Sequence, residues 1–345
     1  MAGGADTPAL VAAVSEAGGL GSIGAAYLTP EQIAAACAAI RAKTQRPFGI
    51  NLFVPLPDPV ADDMRAAVAQ VAPFFGELGL PAPESPSHPA WNFEAQVAVA
   101  LGCGASVVSF TFGLFPPAAR DAVKARGLTL VGTATTVNEA IALERAGVDA
   151  IVTQGSEAGA HRGTDASGLD PGPFDAAMIG TLALVPQVVD AVRVPVIAAG
   201  GIMDGRGIAA VLALGADAAQ LGTAFLTCDE AGISEAYKRA IFDAREDDTR
   251  VTYAFTGRPA RGIVNRFMNE VEAAAARDAL VVLPFPLQHT LTRPLRVAAA
   301  KAGRPEFLSL WAGQGLRLAR RGSAAALMAA LVEETDVAIR RLQSR

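Results

Sequence analysis

Cysteine is scarce in this chain, with Cys37, Cys103 and Cys228 widely spaced and never arranged as CxxC. That excludes a disulfide scaffold and the common cysteine zinc motifs, and it leaves buried thiols as the reading. Aromatic residues make up only 6% and charged residues 18%. No stretch is rich in Lys and Arg, and the formal charge is −5, so nucleic acid has no electrostatic footprint here. No apolar run reaches the roughly 18 residues that a membrane helix needs. The opening residues Met1 to Asp6 lack the basic and apolar regions of a signal peptide. A cytoplasmic location is the default expectation. The acidic runs Asp62-Asp63 and Glu246-Asp247-Asp248 lack metal-ligand spacing and read as solvated faces. No Ser/His/Asp or Cys/His arrangement is recognisable, so neither a metal centre nor a nucleophilic hydrolase is indicated.

What the chain does have is small and apolar. Hydrophobic residues reach 51% over 345 residues, enough for a large core and suited to one barrel with insertions or a tail. Short β-branched runs alternate with Ala-rich helical stretches, which predicts a parallel sheet with helical crossovers. Strands are expected at Leu20–Gly24, Phe48–Val54, Ser106–Phe112, Leu128–Val131, Ala150–Thr153, Val194–Ala199 and Ala218–Leu221. Thr29-Pro30-Glu31 predicts a capped helix start, and Thr136 to Glu139 spells a capping box. The fold expected is an α/β (β/α)8 barrel over residues 1–232. A Pro- and Ser-rich insertion falls at about 80–93, and a mainly helical extension or lid spans 233–345. Within that extension, helices are expected over about Ser234–Ala244 and over Leu308–Leu342, the latter with a break near Gly322.

Two glycine turns carry the clearest chemical signal. Ala199-Gly200-Gly201-Ile202 and Gln220-Leu221-Gly222-Thr223 each follow a predicted strand, and the two strands are consecutive. Glycine lets backbone N–H groups approach a dianion, and a helix starting nearby adds its positive end. Barrels commonly bind phosphate in the loops after their last two strands. A phosphate site for FMN or for a phosphorylated substrate is therefore expected at Gly200, Gly201, Gln220, Leu221, Gly222 and Thr223. A second constellation, Gln154-Gly155-Ser156-Glu157-Ala158-Gly159-Ala160-His161-Arg162-Gly163, follows the strand that ends at Thr153. His161, one of three histidines with His88 and His289, is the candidate acid or base, because imidazole titrates near neutrality. His88 sits in a Pro/Ser loop and reads as solvated.

These blocks resemble the nitronate monooxygenases. Gln154 to Gly163 is similar to that family's Gln-Gly-x-Glu-Ala-Gly-Gly-His-x-Gly signature, with Ala160 in place of the second Gly. Gly18-Gly19-Leu20-Gly21, Phe48 to Leu52, Ala199 to Gly207 and Gln220 to Phe225 are similar to further blocks, in order. Trp311-Ala312-Gly313-Gln314-Gly315 resembles a C-terminal block of the class I branch. The resemblance spans nearly the whole chain, although its central blocks are shared with FMN-dependent enoyl reductases. It implies FMN as cofactor, His161 as the catalytic residue, and Asn51, Gln154 and Gly159 near the flavin, with Met1 beside it. Phe285, His289 and Arg293 stand where relatives often carry Tyr and Lys, at the substrate entrance. Trp311 and Phe307 are expected to pack the tail.

The activity so implied is oxidation of alkyl nitronates, of the propionate 3-nitronate type, with O2 to a carbonyl product and nitrite. The alternatives are an FMN-dependent enoyl or quinone reductase using NAD(P)H, a flavin-binding protein without turnover, and a flavin-free aldolase-type barrel. No oligomeric state is legible. The residues before the first predicted helix, about Thr7–Ala17, are too few and too small to form a normal strand. One barrel strand is therefore expected to lie upstream of Met1.

Overall fold

Helix boundaries follow from capping residues that the sequence supplies. Thr29 Oγ1 accepts a hydrogen bond from Gln32 N, and Gln32 Oε1 accepts one from Thr29 N, so the helix Pro30–Arg41 begins with a closed capping box. Thr136 and Glu139 do the same for the helix Val137–Arg145. Asp204 caps the helix Gly205–Ala213 by accepting from Arg206 N and Gly207 N. The computed structural model describes residues 3–57, 63–89, 91–164 and 177–344.

Between these helices lie short strands in parallel order. They are β1 (Gly21–Gly24), β2 (Phe48–Phe53), β3 (Val107–Thr111), β4 (Thr129–Ala134) and β5 (Ala150–Gln154). A two-residue β6 (Ala160–His161) leaves the sheet, and β7 (Val196–Ala199) and β8 (Ala218–Gln220) complete it. The sheet runs β1-β2-β3-β4-β5-β7-β8 and is curled in the manner of a TIM barrel, as the alternation predicts. Ile50, Val108, Leu130 and Ile151 are fully buried and form its core with the helices outside. Among the described residues, β1 and β8 pair on one side only. The N-terminal segment runs beside that seam. Gly232 N donates to Ala5 O at 3.0 Å, Thr7 Oγ1 to Glu230 O at 2.6 Å, and Gly24 N to the Asp6 carboxylate.

Register sets the functional level of the sheet. Asn51 pairs with Ser109, Gln154 with Ala199, and Ala199 with Gln220. Gln154, Ala199 and Gln220 close their strands and Asn51 stands in the C-terminal half of β2, so the predicted site residues lie toward one rim.

The C-terminal part differs from the expectation in two places. It holds β9 (Thr249–Thr252) and β10 (Ala260–Ile263), which join β6 in a three-stranded antiparallel sheet, order β6-β10-β9. These strands are too short to show a clear periodicity. Residues 308–322 are not α-helical; they hold the 3-10 turn Leu316–Leu318 and single β-bridges at Trp311 and Gly322, and the long helix starts at Ala324. Close passage explains this. A Cβ on Gly313 would stand 2.6 Å from Glu157 O, and one on Gly315 2.9 Å from Gly201 O, so the segment is threaded between the rim loops rather than coiled above them. The helix Ala324–Gln343 then lies against the helix Gly205–Ala213, where Gly205 N donates to Glu334 at 3.1 Å.

Candidate active site

Rim loops bring His161 into an aromatic chamber. Its ring lies 5.9 Å from Phe53, 5.7 Å from Phe112, 5.8 Å from Phe285 and 6.1 Å from Trp311, measured between centroids. Phe53 ends β2 and Phe112 follows β3, whereas Phe285 and Trp311 reach in from the extension. Phe112 is fully buried with φ of 80°, a left-handed conformation that a bulky residue rarely adopts. Strain of this kind gathers at binding sites, where surrounding contacts hold it in place. Here the Arg258 guanidinium lies 3.9 Å over the Phe112 ring.

Burial acts strongly on the histidine. Desolvation first, then the Arg258 and Arg296 cations, lower the pKa of His161 from 6.5 to about 3. The imidazole is therefore neutral at physiological pH. Its Nε2 lies 3.0 Å from Thr256 Oγ1, which is 3.1 Å from Arg258 O and also receives Arg258 N. One arrangement satisfies all three bonds. Thr256 gives its only proton to the Arg258 carbonyl, and its oxygen accepts from His161 Nε2–H. His161 Nδ1 then keeps its lone pair.

The loop that carries His161 is tied down by its own polar groups. Gln154 Nε2 donates to His161 O at 3.1 Å, and its Oε1 accepts from Gly163 N at 2.8 Å. The buried Arg162 donates to Gln154 O, Gly155 O and Ala177 O, at 2.5 to 2.8 Å. Glu157 accepts from Thr181 N and Thr181 Oγ1 at the start of the helix Thr181–Ala191. Gly159 meets the extension so closely that a Cβ would lie 2.6 Å from Ala312 C and from Gly313 N. Ala160, at the position where the resembled signature has Gly, has φ of 62°. Glycine reaches that conformation without a side-chain clash.

The two glycine turns stand side by side on this rim. Gly200 and Gly201 have φ of 115° and 72°, and a Cβ on Gly201 would press on Glu157 Cβ at 3.2 Å. Among the described residues, the amides of Gly201 and Gly222 donate to nothing. Thr223 Oγ1 accepts from Gly313 N at 2.9 Å, which brings the C-terminal block to the same turn. Gln220 closes β8, and Leu221 connects it to Gly222. Asn51 donates to Ser109 Oγ at 3.0 Å one strand away, and the buried Thr153 Oγ1 beside Gln154 has no partner among the described residues. The structure thus brings Asn51, Gln154, Gly159, His161, Gly200, Gly201 and Gln220 to Thr223 to one rim. Met1 lies outside the described residues. His88 is exposed. Phe307 packs the extension against Phe74, but Trp311 also faces His161.

Several residues here were not singled out from the sequence: Tyr27, Phe53, Trp91, Phe112, Thr256, Arg258 and Arg296. For Phe53 and Phe112 the signal was available, because both end predicted barrel strands. Thr256, Arg258 and Arg296 sit in the extension, where no periodicity marks a rim. Among the described residues no group of acidic, His or Cys side chains could hold a metal ion, and no helix is long and apolar enough to cross a membrane.

Known proteins are similar to this chain along nearly its whole length. A sequence model of the nitronate monooxygenase family matches residues 1–334. The chain belongs to the nitronate monooxygenase family. A probable nitronate monooxygenase of Staphylococcus saprophyticus is 41% identical over 337 residues, covering 96% of this chain and 92% of that protein. A nitroalkane oxidase from Streptomyces ansochromogenes is 44% identical, with a TM-score of 0.90 over 99% of this chain and 95% of that one. FabK from Thermotoga maritima is 29% identical with a TM-score of 0.77, covering 100% of this chain and 93% of its own. Membership of the nitronate monooxygenase family makes the chain an oxidoreductase that acts on a small molecule.

His161 and the buried His289 also fix a pH dependence. His289 is lowered to about 2, by desolvation first and then by Arg296, His161 and Arg293. Both folded values lie below the unfolded value of about 6.5. The unfolded chain therefore binds up to two more protons as pH falls through 6.5, so stability is retained above that pH and lost below it. The urea midpoint should fall between pH 7 and pH 5, and a His161→Gln, His289→Gln double variant should show a flatter dependence. An equal slope in both proteins would remove the histidines from this role.

Proposed function

We propose that this chain is an FMN-dependent nitronate monooxygenase that oxidises alkyl nitronates, of the propionate 3-nitronate type, with O2 to a carbonyl product and nitrite. The observation that carries the reading is a neutral His161 in an aromatic chamber flanked by the Arg258 and Arg296 cations. Such a chamber favours a flat, anionic organic substrate. The glycine turns fit the cofactor. Gly201 and Gly222 offer free amides to a phosphate, a Cβ at Gly201 would crowd that space, and Thr153 Oγ1 is a buried group awaiting a partner. Asn51, Gln154 and Gly159 would lie along the flavin, and Gly200, Gly201 and Gln220 to Thr223 would hold its phosphate end. Met1 would lie beside it. When bound, the flavin supplies the electron transfer from substrate toward oxygen.

The protein's own residues position the substrate and handle one proton. With a neutral nitroalkane, the Nδ1 lone pair of His161 accepts the α-proton. With a nitronate anion, the ring turns an N–H toward the substrate oxygens while Thr256 donates to Nε2 instead. A hydroxyl serves both arrangements, which makes Thr256 a positioning residue. Thr256→Val should lower kcat/KM by about tenfold, the value of one hydrogen bond, with Thr256→Ser restoring it. An unchanged Thr256→Val enzyme would sever that link. The aromatic walls, Phe53, Phe112, Phe285 and Trp311, exclude water from the reacting atoms.

The central blocks that the sequence shares with FMN-dependent enoyl reductases keep an FMN enoyl reductase as a second reading. The visible spectrum of the purified protein and the mass of the released cofactor test the first requirement. Folded protein that takes up no FMN on reconstitution would overturn both readings.

A further inference from the structure

Beneath the rim, a buried carboxylate closes a chain of polar contacts that begins at His161. Glu139 lies in the first turn of the helix Val137–Arg145 and is only 4% exposed. One of its oxygens accepts from Thr135 N, from Thr135 Oγ1 at 2.8 Å and from Thr136 N at 3.1 Å. The bond from Thr136 belongs to the helix cap. The bonds from Thr135 do not, because Thr135 precedes the cap and directly follows β4. Thr135 gives its only hydroxyl proton to Glu139, so its oxygen can only accept from Thr164 Oγ1, which lies 3.1 Å away. The Thr164 carbonyl accepts from the Arg258 guanidinium. The Arg258 carbonyl accepts from Thr256 Oγ1, which in turn accepts from His161 Nε2. Thr135, Thr164, Thr256 and Arg258 are all buried.

The direction of these bonds is set at the Glu139 end. A hydroxyl can turn to give or to accept, whereas a carboxylate only accepts. Glu139 therefore removes that freedom from Thr135, and Thr135 removes it from Thr164. Thr164 then offers a fixed carbonyl to Arg258, whose guanidinium stays 3.9 Å over the Phe112 ring and whose carbonyl stays on Thr256. The Glu139 charge also favours the cationic form of the buried Arg162, which holds the Gln154, Gly155 and Ala177 carbonyls beside His161. Arg258, Arg296 and His289 are the titratable groups that bear on His161 itself, and Glu139 is not among them. Its influence on the imidazole runs along the bonds and not through space. Networks of this kind hold one arrangement only while every member is satisfied.

We infer that Glu139 is a positioning residue for His161, acting through Thr135, Thr164, Arg258 and Thr256 to hold the resting imidazole with its hydrogen on Nε2 and its lone pair on Nδ1. The nitronate reading above supplies what that lone pair does; the chain of bonds stands without it.

Nitrogen NMR of the flavin-loaded protein, labelled at histidine, reads the tautomer directly. Only three histidines contribute signals, and His161→Ala identifies the one in question. Wild type should show a single tautomer at His161, protonated on Nε2. Thr135→Val removes the hydroxyl at nearly constant volume and leaves the Thr136 cap in place. It should give a mixture of tautomers and lower kcat on propionate 3-nitronate by about three- to tenfold, the value of one hydrogen bond, with KM changed by less than about twofold. Thr135→Ser should restore both readouts. Thr164→Val cuts the same chain one link further on, so the double variant should lose no more than either single variant. Glu139→Gln keeps an accepting oxygen without the charge and should fall between wild type and Thr135→Val. A single Nε2-protonated tautomer or a wild-type kcat in both Thr135→Val and Thr164→Val, or losses that multiply in the double variant, would overturn the inference. A tautomer that shifts in these variants while wild type turns over no nitronate would count against the reaction and leave the positioning role standing.

Discussion

His161→Ala is expected to lower kcat/KM on the nitronate by about 10²- to 10⁴-fold while leaving the flavin absorbance of the protein in place. The ring is held neutral by burial and by the Arg258 and Arg296 cations, so it offers one N–H and one free lone pair to a bound substrate. It is fixed in place by Thr256 and packed between Phe53, Phe112 and Phe285. An alanine would keep the backbone of β6 and its pairing with β10, because His161 contributes to that ladder through its main chain. The loss should therefore fall on chemistry and not on folding. Its low pKa predicts a further signature, a kcat/KM profile with no inflection near pH 6.5. A variant within about threefold of wild type would show that His161 takes no part in the reaction.

Gly201→Val is expected to raise the Kd for FMN by about 100-fold or more. Two effects add. Gly201 has φ of 72°, a conformation that β-branched residues avoid at a cost of about 1–3 kcal/mol. Its Cβ would also approach Glu157 Cβ to 3.2 Å and fill the space beside the free Gly201 amide. Fluorescence titration of the apoprotein with FMN measures the change, and the circular dichroism of the variant separates it from unfolding. Unchanged affinity in a folded variant would place the phosphate elsewhere.

The barrel rim was legible in sequence because each of its parts has a local cause. β-branched runs mark strands β2, β3, β5 and β7, capping residues mark helix starts, and glycine turns mark the sites of close approach. Thr29, Thr136 and Asp204 are visible in the chain before any contact is known. The strained Phe112 and the Tyr27–His289 stack were not legible, because they depend on contacts between residues more than 80 positions apart or on a backbone angle. The reach of the extension into the site was hidden for the same reason. Residues 308–322 carry a composition suited to a helix, yet Gly313 and Gly315 pass against the main chain of the rim, and tertiary packing overrides propensity there. The strands β9 and β10 are four residues each, and they gain their stability from pairing with each other and with β6.

Nitronate oxidation and NAD(P)H-driven reduction are the two readings that one comparison separates. Nitrite release from propionate 3-nitronate in air, set beside NADH consumption with an enoyl thioester, measures this on the purified flavin-loaded protein. The account predicts catalytic nitrite formation, dependent on His161, with no acceleration of NADH oxidation. Absence of nitrite together with NADH-dependent reduction of the enoyl thioester would contradict it.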